Sequence, residues 1–247
     1  MTEFALETEN LTRRFGDFVA VDSINLQVRK GELFGFLGLN GAGKTTTIRM
    51  LTTLLPPSAG KARLWDRDVV ADPIAARSLI GLVSDETSES QSSWTGREYL
   101  GYFARIRRLP DPAGVVERSL DKVGLDAAFR SRLIATYSTG MKRRVEIARA
   151  LMGDPKVLFL DEPTRGLDLP AKRETWNFLR ELAARENVTT FLSSHDAQEI
   201  RNLCSEISVI AKGRVVFAGT TRELGSDLDS FEENLIRLLL ATPHASH

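Results

Sequence analysis

The sequence predicts an α/β fold: a parallel sheet covered by helices on both faces. Three observations predict it. Short apolar runs alternate with longer stretches of helical period, as parallel strands joined by crossover helices require. One apolar run, "LFGFLGL", leads straight into a glycine-rich turn and then a helical stretch, "NGAGKTTTIRML". Another, "VLFLD", is followed by a second carboxylate, Glu162. The chain has 247 residues, enough for one large domain or two modest ones with a sizeable core.

In chain order, "FALETENL" and "VAVDSINLQV" alternate apolar and polar residues and read as half-exposed strands near a sheet edge. "GELFGFLGL" is compact and apolar, as a buried strand is. "KTTTIRMLTTLL" has helical period and is expected to run up to Pro56 and Pro57, which cannot continue it. "IGLVS" is a further short strand. "SDETSESQSSW", Ser84 to Trp94, is the most polar stretch and reads as a surface loop. From about Thr95 to Ala135 the pattern is helical, an insertion into the alternating scheme. A helix from Ser138, the strand "VLFLD", a helix over Pro170 to Arg185 and the strand "VTTFLS" follow. A helix near Asp196 to Leu203, the strands "ISVIAK" and "RVVFAG", and a last helix, "FEENLIRLLL", complete the order.

Composition excludes several classes. Apolar residues make up 42% and charged residues 27%, as in an ordinary globular protein. Lys plus Arg number 33 and Asp plus Glu 33, and a net charge of zero gives no footprint for nucleic acid, so no nucleic-acid partner is expected. The single cysteine, Cys204, excludes an internal disulfide and a cysteine-rich zinc cluster, and reads as a small buried residue. No run of about eighteen apolar residues is present, so no membrane span is expected. "MTEFALETEN" lacks the charged-then-apolar layout of a signal peptide. No internal repeat is evident.

The chemistry concentrates in three places. Gly38 to Thr45 reads G-L-N-G-A-G-K-T, matching G-x-x-x-x-G-K-[ST] at every fixed position, with a strand before it and a helix after. Glycines let the backbone wrap close to phosphates with its N–H groups turned inward, and the helix start offers its positive end to the same anion. Lys44 can reach the β- and γ-phosphates, and Thr45 can give a hydroxyl to magnesium. Asp161 closes the strand "VLFLD", where it can hold magnesium; Glu162, one residue on, can orient a water and take its proton. Alone, that pair would read as an acidic strand-to-turn junction. In "YSTGMKRRVEIARALM", Ser138 is a natural N-cap and Gly140 permits close backbone approach, which makes a second phosphate-facing helix start.

The order of these pieces resembles the nucleotide-binding subunits of ATP-binding cassette (ABC) transporters, from about Phe4 to Gly219. The resemblance implies a P-loop NTPase parallel sheet core, an N-terminal antiparallel β subdomain and an inserted helical subdomain. It places an ATPase domain at 4–219, with the insertion at about 86–152, and a helical tail at 220–247. It implies ATP and Mg2+ as cofactors. Gly38, Leu39, Asn40, Gly41, Ala42, Gly43, Lys44, Thr45 and Thr46 match Walker A. Val157 to Asp161 match Walker B, with Glu162 as catalytic glutamate. Ser138, Thr139, Gly140 and Met141 stand where the family has S-G-G-Q, so the threonine and methionine are departures. Asp168 belongs to the D-loop "GLD", His195 in "LSSHD" matches the switch histidine, and Phe15 in "RRFG" stands where the family stacks an aromatic on adenine. On their own, His195 would read as structural and Phe15 as a core or edge aromatic. Where the family has a glutamine at the end of "IGLVSD", this chain has Asp85, either a metal-approaching carboxylate or a solvated loop residue; the nearest glutamine is Gln91.

One copy of each motif implies a second ABC subunit, as a homodimer rather than a heterodimer, closing head to tail over ATP. The absence of a span implies a membrane permease on a separate chain, docked at the helical insertion, and a place on the cytoplasmic face of the membrane. "WTGREYLGYFARIRRLP" and "YSTGMKRR" resemble the subgroup that serves exporters of drugs, antibiotics, peptides or other hydrophobic cargo. Arg105, Arg107 and Arg108 read as a solvated helix face. A soluble ABC ATPase outside transport, and a P-loop kinase or nucleotide switch, remain as alternatives.

Overall fold

A computed structural model describes residues 3–84 and 93–241. The chain starts with β1 (Phe4–Phe15), β2 (Phe18–Ile24) and β3 (Gln27–Arg29). The stretch expected as one strand over "VAVDSINLQV" is therefore two, broken at Asn25 and Leu26, just past Ser23, whose φ of 52° lies in the left-handed region. The buried strand β4 (Leu33–Leu37) leads through the glycine-rich turn into α1 (Lys44–Leu51). That helix stops four residues short of the predicted end. Thr53 turns left-handed at φ 62°, and the amides of Leu54 and Leu55 fold back onto the Arg49 carbonyl at 2.9 and 3.0 Å.

Three elements follow that periodicity does not reveal: β5 (Ala59–Leu64), β6 (Arg67–Asp68) and α2 (Pro73–Ser78), the last capped by Asp72 with proline at its first position. The predicted strand "IGLVS" is β7 (Ile80–Val83). The helical insertion comprises α3 (Gly96–Ile106), closed by a reciprocal Thr95–Glu98 capping box, α4 (Pro112–Lys122) and α5 (Ala127–Arg130). Then come α6 (Thr139–Leu151), β8 (Val157–Asp161), α7 (Leu169–Glu186), β9 (Thr189–Ser194), α8 (Ala197–Leu203), β10 (Glu206–Ala211), β11 (Arg214–Thr220), α9 (Thr221–Leu224) and α10 (Leu228–Ala241).

Two sheets result. The first is antiparallel and five-stranded, in the order β2-β1-β5-β6, with β3 also paired to β1. The N-terminal strands thus lie in a sheet of their own rather than at the edge of the main one, as the family resemblance implied and alternation alone did not. The second sheet is six-stranded, β11-β10-β4-β9-β8-β7. All its neighbours are parallel except β10 and β11.

The core lies on both faces of this second sheet, because successive side chains of a strand point to opposite sides. Leu158, Leu160, Leu192, Ile207 and Val209 face α6, α7, α8 and α10. Phe34, Phe36, Phe159 and Phe191 face α1 and the antiparallel sheet. Phe191 is the hub of the latter group, with ring centroids 5.5, 5.3 and 5.5 Å from Phe34, Phe36 and Phe159. Fully buried aromatics at this spacing fix how β4, β8 and β9 sit against each other. Cys204 is buried, and that burial pushes its thiol well up from the usual range. Among the described residues no helix is long and apolar enough to cross a membrane.

Candidate active site

The carboxyl ends of parallel strands are where an open α/β sheet opens onto ligands. Here β4, β8 and β9 are neighbours, so the chain leaving each arrives at one place. The first amide after β4, that of Gly38, donates to the Ser194 carbonyl at 3.1 Å and ties the glycine-rich turn to the end of β9. Gly43 sits at φ 110°, and a Cβ there would lie 2.6 Å from the Ala20 carbonyl oxygen, so only glycine fits where the turn becomes α1. Leu39, Asn40 and Gly41 form the exposed crest of the loop; Ala42 is buried beneath it and accepts from the Gly213 amide at 2.9 Å.

Lys44, the first residue of α1, is buried and turned back into the loop. Its Nζ donates to the carbonyls of Gly38 at 2.7 Å and Leu39 at 3.2 Å, and lies 3.0 Å from Glu162 Oε1. The Thr45 hydroxyl donates to Asp161 Oδ2 at 2.9 Å. The other oxygen, Oδ1, accepts from Ser193 Oγ at 2.5 Å. That contact follows from register: Asp161 at the end of β8 is paired with Ser193 on β9. Both Asp161 oxygens are therefore fixed by hydroxyls, beside the helix that carries Thr45.

Glu162 leaves β8 with φ 52°, an uncommon conformation for a non-glycine residue and one that concentrates at functional sites. Its amide donates to the Ser193 carbonyl at 3.1 Å. Its carboxylate is bracketed, with Oε1 facing Lys44 and Oε2 2.7 Å from His195 Nδ1. His195 follows β9 directly and keeps much of its ring exposed. A cation, a carboxylate and an imidazole thus stand in line at the mouth of the loop.

A cleft over the loop is lined by Phe18, Ala20, Gly43, Lys44, Thr45, Thr46, Glu162 and Arg165, with Asn40 and Gly41. Phe18 is 63% exposed. Phe15, paired with it across the β1–β2 turn, is 46% exposed, but its ring is covered by the Arg13 guanidinium at 4.6 Å and it does not line the cleft. Ser138 and Gly140 do not line it either. Ser138 caps α6, accepting from the Met141 amide at 3.2 Å, and Asp168 caps α7, accepting from the Ala171 amide at 2.9 Å. Asp85 and Gln91 lie outside the described residues. Arg105, Arg107 and Arg108 of the basic cluster are all exposed, and partial desolvation of the Arg107 guanidinium, with the nearby Arg149 cation, lowers its pKa.

Sequence reasoning did not find Phe18, Arg165, Ser193, Ser194 or Glu199. Phe18 had a signal, an aromatic immediately after the "GD" turn on the strand that leads to the loop. The serines had only their place before His195.

A phosphate-sized loop set against two carboxylates at the ends of parallel strands is what nucleoside triphosphate hydrolysis requires. Comparison with known proteins defines the class further. The family profile described as ABC transporter matches residues 21–165, and the chain belongs to that family: it is an ATP-binding, ATP-hydrolysing domain. The daunorubicin/doxorubicin resistance ATP-binding protein DrrA of Streptomyces peucetius is 41% identical over 239 residues, covering 96% of this chain and 70% of that protein. The bacitracin transport ATP-binding protein BcrA of Enterococcus faecalis is 39% identical over 214 residues, 87% of this chain and 68% of that protein. Among solved structures, cbiO1 of Clostridium perfringens, part of the ABC transporter complex cbiONQ, superposes with a TM-score of 0.84 at 27% identity over 96% of both chains. Family membership sets aside the kinase and nucleotide-switch readings.

Proposed function

We propose that this chain is the ATP-hydrolysing subunit of an exporter whose permease is a separate chain, and that it moves a drug-like, peptide or other hydrophobic cargo. The similarity to DrrA and BcrA supports that cargo class, and the helical insertion supplies the docking face. The working position is the cytoplasmic face of the membrane. Two copies close head to tail, as a homodimer, with Ser138 and Gly140 of each meeting the ATP held by the other's Lys44 loop.

One observation carries the shared site. Gly140 lies in the first turn of α6, yet a Cβ there would meet nothing nearer than the Glu174 carboxylate at 3.9 Å. Glycine in a helix costs about 0.5–1 kcal/mol relative to alanine. Nothing among the described residues requires it, whereas close approach of a phosphate from outside does. Exposed Ser138 beside it and the unshared start of α6 complete an anion-facing end that the chain's own cleft does not use.

The donor set fits Mg2+. Thr45 and Asp161 are hard oxygen ligands held together, and no cluster of three or more acidic, histidine or cysteine side chains competes among the described residues. A magnesium ion that relies on one or two protein oxygens plus phosphates suits such a site. When bound, the metal neutralises charge on the β- and γ-phosphate oxygens. Asp85 is proposed as a further carboxylate that approaches it. Lys44 leaves Glu162 to meet the β- and γ-phosphates. Glu162, with His195 holding its other oxygen, orients the attacking water and takes its proton as the water oxygen bonds phosphorus and the bond to ADP breaks.

The test is ATP-dependent accumulation of labelled hydrophobic antibiotics in inverted vesicles from cells coexpressing the chain and its permease. Accumulation is expected with the parent and not with Lys44→Ala. Equal accumulation in the two would overturn the proposal.

A further inference from the structure

Glu199 is a buried carboxylate, 1% exposed, that no step above uses. It is the third residue of α8, and its amide is held by Asp196 Oδ1 at 3.1 Å. Three neutral donors converge on it. Oε1 accepts from the Thr164 hydroxyl at 2.7 Å and from the Trp176 indole N–H at 3.1 Å. Oε2 accepts from the Ser194 hydroxyl at 2.5 Å. All three donor residues are buried. Burial pushes the Glu199 carboxyl up, and the three donors work against that push.

The positions of the donors give the cluster its meaning. Thr164 is two residues after Glu162; Ser194 is immediately before His195; Trp176 lies on α7, which Asp168 begins. A hydrophobic contact could pack these segments without directing them, whereas a carboxylate with three directed bonds fixes their mutual orientation. Burying an acidic group with neutral donors alone is costly. A structure that keeps one here gains definition between two loops whose side chains meet at 2.7 Å, Glu162 Oε2 to His195 Nδ1.

We propose that Glu199 is a positioning residue for ATP hydrolysis: through Thr164 and Ser194 it clamps the loop bearing Glu162 to the loop bearing His195. The inference rests on the reading of Glu162 as the base. It predicts that weakening the clamp slows turnover while leaving nucleotide binding intact, because the clamp uses the Ser194 hydroxyl, whereas the glycine-rich turn is held by the Ser194 carbonyl, which the side-chain variants keep. A hydroxyl-to-methyl change at one tether displaces an aligned base by a fraction of an ångström, for which a loss of about tenfold or more in kcat is reasonable.

The experiment compares Thr164→Val, Ser194→Ala and Glu199→Gln in the full chain, with Thr164→Ser as the conservative control. Fluorescent-ATP titration, kcat and KM for ATP, and thermal unfolding are read for each. Expected are ATP affinity and KM within about threefold of the parent, kcat down about tenfold or more for the three, and parental kcat for Thr164→Ser. In the Glu162→Gln background the same changes should slow hydrolysis no further, because residues acting as one unit are not additive. Lowered melting temperature with parental kcat in Thr164→Val and Ser194→Ala overturns the proposal and leaves Glu199 a stabilising residue. Should Glu199→Gln fail to fold, those two tether variants decide. A Glu162→Gln variant that itself hydrolyses at the parental rate overturns the underlying assignment of the base, a different failure read in the same assay.

Discussion

The ion pair between Lys44 and Glu162 makes a quantitative prediction about Glu162→Gln that goes beyond lost turnover. In this conformation the lysine that must meet phosphate is engaged by the glutamate. Nζ and Oε1 are 3.0 Å apart, with side chains only 5% and 11% exposed. At an effective dielectric near 20, two unit charges at that distance interact by about 5.5 kcal/mol. Most of this is offset by the cost of desolvating both groups, and measured values for hydrogen bonds to charged groups fall at about 1.5–3 kcal/mol. Glutamine keeps the shape and the contact to His195 but removes the charge that holds Lys44. Turnover should fall about 100-fold or more from loss of the base. ATP affinity should rise about 5- to 30-fold, equivalent to about 1–2 kcal/mol. Part of any gain will come from relieved repulsion between Glu162 and the γ-phosphate, so the assay is a double-mutant cycle with Lys44→Met, titrating ATP without hydrolysis. The gain from Glu162→Gln should shrink by a coupling of about 1–2 kcal/mol when Lys44 is already Met. Equal gains in both backgrounds would refute competition between carboxylate and phosphate for the lysine.

Phe18→Ala should weaken ATP binding about fivefold or more, the scale of one lost aromatic face against a base, with a smaller loss for Phe15→Ala; calorimetry on each variant checks the order, and a larger loss at Phe15 would return the stacking role to it. The Lys172–Asp196 pair, 2.8 Å, supports the start of α8. Burial pushes Asp196 up, but the Lys172 ammonium and the Glu199 amide outweigh it and hold the carboxyl below its usual range. A depressed acid stabilises above its unfolded value and loses that contribution as pH falls through the folded one. Lys172→Met should therefore cut stability at pH 7 by about 1 kcal/mol or less, read as a lowered melting temperature, and the difference should fade below about pH 4. Cys204 should resist thiol reagents in the folded protein and react on unfolding; prompt labelling of native protein would contradict its burial.

The strands and helices that carry the site were legible because their signals are local. A glycine-rich turn between strand and helix and an apolar strand ending in Asp161 can each be read within about ten residues. β5 was not legible, since "AGKARL" has only Ala62 and Leu64 buried and owes its place to pairing with β1. The end of α1 was missed because Pro56 is a visible stop signal while the left-handed Thr53 is not. Within the site, Asp161, Glu162 and Lys44 follow from motif spacing, but Ser193, which bonds Asp161, and the Ser194–Glu199 contact behind His195 are set by the register of β8 on β9 and the placement of α8. Those are tertiary facts with no local trace. The aromatic choice between Phe15 and Phe18 is likewise tertiary: the two are cross-strand partners on one face of the same hairpin, and the Arg13 guanidinium covers Phe15 while Phe18 lines the cleft.

The helix α6 has a mechanical consequence. One end packs closely on the sheet, where a Cβ on Gly81 would lie 2.4 Å from the Ala150 carbonyl oxygen. The other end carries Ser138 and Gly140 at the surface. Thirteen residues at about 1.5 Å each make a rod of about 20 Å. Pivoted at its packed end, a tilt of about 10° swings the serine through about 3.5 Å, longer than a hydrogen bond. A modest tilt at the packed end would therefore be enough to make or break a hydrogen bond at the tip. If two copies close head to tail as proposed, leverage of this kind would let a small push on the helical insertion decide whether ATP on the facing subunit is grasped or let go.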